Sequence, residues 1–126
     1  MEPYFSRKLD IKIIDSLFDP DTSERVVSVE KKSASRPLYK VFVYLQGLDV
    51  PYVDNVTYTL HPTFKRPVIR VDRTISNPSC KLTIWTWGLF TIRASIATSQ
   101  GTILNSEHSL TYDRDLQSPD IKYNYV

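Results

Sequence analysis

The stretch "LYKVFVYLQG", residues 38–47, alternates without a break. Tyr39, Val41, Val43 and Leu45 fall on one side and Lys40, Phe42, Tyr44 and Gln46 on the other. A period of two is the signature of a β-strand, whose successive side chains point to opposite faces. The pattern repeats outward in both directions. In "NVTYTLH" (55–61), Val56, Tyr58 and Leu60 alternate with Thr57 and Thr59, and in "LDIKIIDSLF" (9–18), Leu9, Ile11 and Ile13 alternate with charged residues. "RVVSVE" (25–30), "VIRVDRTI" (68–75), "CKLTIWTW" (80–87), "LFTIRASIAT" (89–98) and "TILNSEHSLTY" (102–112) read as further strands. Between them lie the turn clusters "DPDTSE" and "SQG" and the loops "KKSASRP", "LDVPYVD" and "PTFKRP". The polar tail from Asp113 reads as frayed, and no segment carries a helical period or an internal repeat. Short strands at regular spacing, each bounded by turn signals, predict an all-β chain folded as an antiparallel β-sandwich.

Size and composition agree. The 126 residues suffice for one domain and one core, and 41% hydrophobic with 12% aromatic content is that of a globular chain. Net charge is only +2, but it is unevenly placed. From His61 to Arg93, six cations (Lys65, Arg66, Arg70, Arg73, Lys81 and Arg93) face Asp72 alone, a local balance of +5. That excess reads either as solvated cations scattered over a sheet or as a basic rim around a central site. The single cysteine, Cys80, cannot form an internal disulfide and reads as a small hydrophobe. The N-terminus "MEPYFSRKLD" lacks the apolar run of a signal peptide, and no stretch is long and apolar enough to span a membrane. The expected location is cytoplasmic, or nuclear if the source is eukaryotic, and "NVT" at 55–57 reads as an incidental match to a glycosylation acceptor.

Most catalytic chemistry lacks its residues. His61, His108 and Cys80 are the only soft metal ligands and have no ligand spacing, and Gly47, Gly88 and Gly101 are too dispersed to cradle a phosphate. No signature marks a catalytic triad. The chain is therefore read as a non-enzyme without cofactor or metal.

Two aromatic-bearing loops remain, "LHPTF" (60–64) and "TWGLF" (86–90). If both emerge at one end of the sandwich, Phe64 and Trp87 stand near each other outside the core, and two flat π-faces form a slot for a flat group. Thr63 supplies a hydroxyl, His61 can orient it, and the backbone N–H groups at Trp87 and Gly88 lie in a turn, outside the ladder, open to a carbonyl. Within "KLTIWTWGLFTI" (81–92), Leu82, Ile84, Phe90 and Ile92 supply the core face, which leaves Trp85 on the opposite face. Trp85 is read as packing, His108 as a solvated strand residue, and Lys65 and Arg66 as solubilising.

The order of these motifs resembles the YEATS domain family. "VYLQG…NVTYTLHPTFKRP…WGLF" matches its pattern at Val56, Tyr58, Leu60, His61, Thr63, Phe64, Pro67, Trp87, Gly88 and Phe90, over roughly 38–113. Pro62 and Thr63 look more like the prokaryotic branch than the chromatin branch. Thr86 stands where glycine is common, and Leu89 where an acidic residue is frequent. The resemblance implies an immunoglobulin-like β-sandwich filling 1–126 as one domain, with core 38–113, N-terminal strands 9–30 and C-terminal tail 114–126. It also implies a reader of acylated lysine. Phe64 and Trp87 would wall the acyl-amide, Thr63 would hydrogen-bond it with support from His61, and the backbone at Trp87 would take its carbonyl. Against a histone-like cationic tail stands the basic middle of the chain, by like-charge repulsion.

Two other functions remain open from the sequence. One is a protein-interaction sandwich without a small-molecule pocket, as part of a bacterial signalling or defence system. The other is a nucleic-acid binder that uses the basic middle with Trp and Tyr stacking, which ranks third.

Overall fold

The computed structural model describes residues 8–31 and 36–126. The first seven residues and positions 32–35 of the polar loop expected at 31–37 lie outside the described residues. Among those described there are nine strands: β1 (Lys12–Ser16), β2 (Val26–Glu30), β3 (Leu38–Gln46), β4 (Val53–Thr59), β5 (Val68–Asp72), β6 (Leu82–Thr86), β7 (Thr91–Thr98), β8 (Ile103–Ser109) and β9 (Lys122–Tyr125).

The strands form two sheets. In the first, β3 is central: β6 runs along one edge from Tyr39↔Thr86 to Val43↔Leu82. The other edge is shared. β1 pairs with residues 42–46 of β3, and β2 with Leu38 and Tyr39. The second sheet has the order β5-β4-β7-β8, antiparallel throughout.

The alternation that predicted the strands also fills the core. Val41, Val43 and Leu45 of β3 meet Val56 and Tyr58 of β4 and Ile92, Ala94 and Ile96 of β7, all buried between the sheets. Tyr58 is fully buried, and its hydroxyl donates to the Cys80 carbonyl at 2.8 Å, so the polar tip of the ring is satisfied inside the core. Burial pushes the Tyr58 phenol pKa well up. Phe42 breaks the simple pattern: it points to the outer face of its sheet, yet is only 7% exposed. The ammonium groups of Lys40 and Lys81 lie 5.5 and 5.6 Å from its ring centroid, and their stems cover it.

Two sequence expectations change. His108 is not a solvated strand residue. Its Nε2 lies 2.5 Å from Asp15 Oδ1, and that carboxylate also accepts the backbone N–H of Thr111 at 2.9 Å and its hydroxyl at 3.1 Å. Asp15 is in β1 and His108 in β8, so this cluster ties the two sheets together. The tail is not frayed either. Residues Tyr112–Gln117 form a 3-10 segment, and β9 adds to the edge of β2 in parallel, so the first sheet is not purely antiparallel. All four β9 residues are exposed. The strand is held by backbone pairing, flanked by Lys122 N–H to Arg25 O (3.0 Å) and Val126 N–H to Val29 O (2.8 Å). A strand that buries no side chain leaves no hydrophobic period to read. Among the described residues, no helix is long and apolar enough to cross a membrane.

Candidate functional site

Strand pairing brings the two aromatic loops together. β4 and β7 are neighbours, with Thr59 opposite Arg93. The C-terminal end of β4 therefore lies beside the N-terminal start of β7. The loop 60–67 leaves β4, and the loop 87–90 carries the chain from β6 in one sheet to β7 in the other. Both open at the same end of the sandwich. A cleft of about 690 Å³ lies between them, and His61, Thr63, Phe64, Trp87 and Gly88 all line it.

The first loop is held shut at its base by Leu60 N–H to Pro67 O and turned by Phe64 N–H to His61 O at 3.1 Å. That turn sets His61 and Thr63 side by side. Thr63 Oγ1 lies 2.8 Å from His61 Nδ1, and the Thr63 backbone N–H also points at Nδ1, at 3.3 Å. A nitrogen approached by a backbone N–H is the acceptor of the pair. The Thr63 hydroxyl therefore donates to Nδ1, and its oxygen lone pairs remain to accept a donor from the cleft.

Phe90 forms the inner aromatic surface. Its ring lies 5.4 Å from Phe64, tilted by 54°, and 6.1 Å edge-on from His61. Trp87 is 56% exposed at the mouth, and the Arg36 guanidinium sits 4.1 Å from its ring centroid. That cation–π contact steadies an otherwise exposed ring.

The Trp87–Gly88 turn is more constrained than an open loop. Thr86 Oγ1 donates to the Gly88 carbonyl at 3.3 Å and accepts the Gly88 N–H at 3.4 Å. The Tyr112 hydroxyl donates to the same carbonyl at 3.1 Å. The Gly88 N–H is thus directed at a side chain, not left open. The Trp87 N–H lies one residue beyond the last β3–β6 pair, Tyr39↔Thr86. Burial, chiefly, pushes the Tyr112 phenol up to about 12, so it remains a donor across the neutral range.

Trp85 is the residue that sequence reasoning set aside. It lines the cleft together with Trp87. The signal was available: Trp85 stands in β6 between Ile84 and Thr86, both buried, so it faces outward from the first sheet, and Leu38 adds to the apolar wall of the same cleft.

The basic middle largely dissolves into pairs. Arg70 binds Asp72 (3.0 Å), Arg93 binds Glu107 (3.3 Å), and Lys81 binds Asp19 (3.0 Å) and Asp21. Arg73 donates to the carbonyls of Val53 (2.9 Å) and Pro51 (2.7 Å). Lys65, by contrast, lines the cleft.

Chemically, the cleft offers aromatic walls and one accepting hydroxyl on the 60–67 loop. Among the described residues, no three metal-ligating side chains converge.

The family model of the prokaryotic YEATS domain matches residues 39–111. Similar solved structures include the Yaf9 YEATS domain recognizing an H3K122suc peptide, at 16% identity over 85% of this chain and 73% of that chain, with TM-score 0.54. They also include the Yaf9 YEATS domain bound to H3K27ac, at 17% identity over 83% and 76% with TM-score 0.50, and a further Yaf9 YEATS domain structure, at 16% over 87% and 81% with TM-score 0.52. At such identities the likeness establishes the fold, an immunoglobulin-like β-sandwich. No curated protein sequence matches the chain.

Proposed function

The chain belongs to the prokaryotic YEATS domain family, whose model spans residues 39–111, and from that premise we propose that its cleft binds an acylated lysine or a closely related acyl-amide. The family consists of non-enzymatic binding modules, and this chain is one of them. In the proposed complex the acyl group slides between Phe64 and Trp87 with Phe90 behind it. The amide N–H donates to Thr63 Oγ1, and the amide carbonyl accepts the Trp87 N–H.

The observation that carries this reading is the fixed hydroxyl of Thr63. Its proton is committed to His61 at 2.8 Å, so the cleft offers an acceptor, which suits an amide N–H and not a carbonyl. The cleft volume of about 690 Å³ lies within the roughly 300–1,000 Å³ of small-ligand sites. The Yaf9 YEATS domains bind acylated H3 peptides, which supports the same ligand chemistry here.

The test is a resonance titration with acetyl-lysine and crotonyl-lysine peptides. Perturbation should centre on Phe64, Trp85 and Trp87. Trp87→Ala and Phe64→Ala should weaken binding by at least about fivefold, from lost stacking on the amide plane, while folding is retained. Absence of any response at millimolar ligand would sink the proposal.

A further inference from the structure

We propose that the acylated lysine accepted by this cleft lies in an acidic segment, with Asp or Glu flanking the modified residue. The inference rests on the acyl-amide reading above and adds the chemistry of the partner around it.

It comes from what the ion pairs leave over. Of the cations in the middle of the chain, Arg70, Lys81 and Arg93 are each matched by a carboxylate, and Arg73, bonded to the carbonyls of Val53 and Pro51, lies at the start of β4, the end away from the cleft. Lys65 and Arg66, both exposed, have no carboxylate partner among the described residues, and they sit on the loop that forms one lip of the cleft. On the other lip, Arg36 lies against Trp87, 4.1 Å from the ring centroid. Its bond to the ring leaves the charge uncancelled, because a π-face carries no net charge.

The carboxylate side of the balance is thin. Among the described residues, no aspartate or glutamate lines the cleft. Leu89, where an acidic residue would oppose this field, is 53% exposed at the mouth. Glu30 is the nearest acid that the strand register identifies, opposite Leu38 on β2, one strand away from the cleft wall. Three cations at the lips, against Glu30 one strand away and Asp113, which is close enough to act on the Tyr112 phenol, leave the mouth a positive balance that favours acidic flanks and repels basic ones. The field is set where flanking residues must pass, since a lysine side chain inserted between Phe64 and Trp87 leaves its backbone at the mouth.

Magnitude follows from exposed ion pairs, each worth roughly a few-fold in affinity at low salt. Two or three such contacts predict about a tenfold preference for an acidic-flanked over a neutral-flanked peptide.

The experiment uses three acetyl-lysine peptides of equal length, flanked by aspartates, by serines or by lysines, together with their unacetylated counterparts. Affinity is read by calorimetry or fluorescence anisotropy at about 50 and 300 mM salt. Expected is the order aspartate, serine, lysine at low salt, compressed at high salt, and reversed in the Lys65→Glu, Arg66→Glu double variant. Equal affinity across the three acetylated peptides, or tighter binding of the lysine-flanked one, overturns the inference and leaves the acyl-amide reading standing. If acetylation changes nothing, whether because no peptide binds or because the acidic peptide binds equally without it, the acyl-amide reading fails and the inference falls with it. A single-stranded oligonucleotide that displaces the acetylated aspartate peptide also overturns it, because the field then serves phosphates.

Discussion

Removing the Asp15 carboxylate should be the most damaging single change outside the apolar core. Its side chain is wholly buried, and three donors converge on it: His108 Nε2 at 2.5 Å, Thr111 N–H at 2.9 Å and the Thr111 hydroxyl at 3.1 Å. Asp15→Ala leaves those donors facing a void, with His108, whose side chain is 22% exposed, half able to recover water. Stripping one partner from a buried, hydrogen-bonded charge cluster costs about 3–5 kcal/mol. For a chain of 126 residues the unfolding entropy is roughly 0.26 kcal/mol/K, so a loss of about 4 kcal/mol lowers Tm by about 15 °C. The assay is chemical denaturation with calorimetry as the cross-check. His108→Ala should cost less, about 1–2 kcal/mol, because the carboxylate keeps both Thr111 donors. The double variant should lose less than the sum of the two singles, since they share one interaction. A loss under about 1 kcal/mol for Asp15→Ala at unchanged denaturant slope would show that the cluster does not hold β1 to β8, and the reasoning would be wrong.

Two further outcomes are expected. Gly47 has φ +143°, and a Cβ there would stand 2.1 Å from the Asp10 carbonyl, which accepts the Asp49 N–H. Gly47→Ala should therefore cost about 1–3 kcal/mol in a melt while leaving peptide affinity intact, because Gly47 follows the end of β3 opposite to Leu38. Alkaline pH should destabilise the fold. Burial raises the Tyr112 phenol to about 12 from its ordinary 10, and the Cys80 thiol to about 11 from 9. Each group ionises more readily in the unfolded chain, so its contribution is complete below its unfolded value and is lost as pH rises through the folded one. Stability should begin to fall near pH 9–10, and Tyr112→Phe should flatten the upper part of that decline. A Tyr112→Phe profile identical to that of the unchanged chain would remove the phenol from the explanation.

How much of this was legible in the sequence varies with the kind of interaction. Val41, Val43, Leu45, Val56 and Tyr58 announced their burial because a two-sided strand writes its environment into its period. The cleft loops were legible for a related reason: the spacing of His61, Thr63 and Phe64 and of Trp87 and Gly88 is local, and a tight turn fixes such neighbours wherever it occurs. Trp85 was half legible. Its odd parity placed it outside the core, and only the meeting of two loops from different sheets gave that outer face a second wall.

What the sequence could not carry is pairing over distance. Asp15 and His108 are 93 positions apart, and nothing in either neighbourhood selects the other. The partners of the basic middle were equally hidden, because a charge count adds ions without regard to distance. Salt bridges act only within a few ångströms, so tertiary structure decided which cations were neutralised and which remained at the cleft mouth. The tail strand β9 marks the same boundary from the backbone side. The sequence by itself determined eight of the nine described strands, the sandwich core and the chemistry of the two loops, because those follow from the order of neighbours along the chain. The closing of β9 onto β2, the tie between β1 and β8, and the positive field around the cleft were decided by the fold, because backbone hydrogen bonds and ion pairs record no period in the residues that make them.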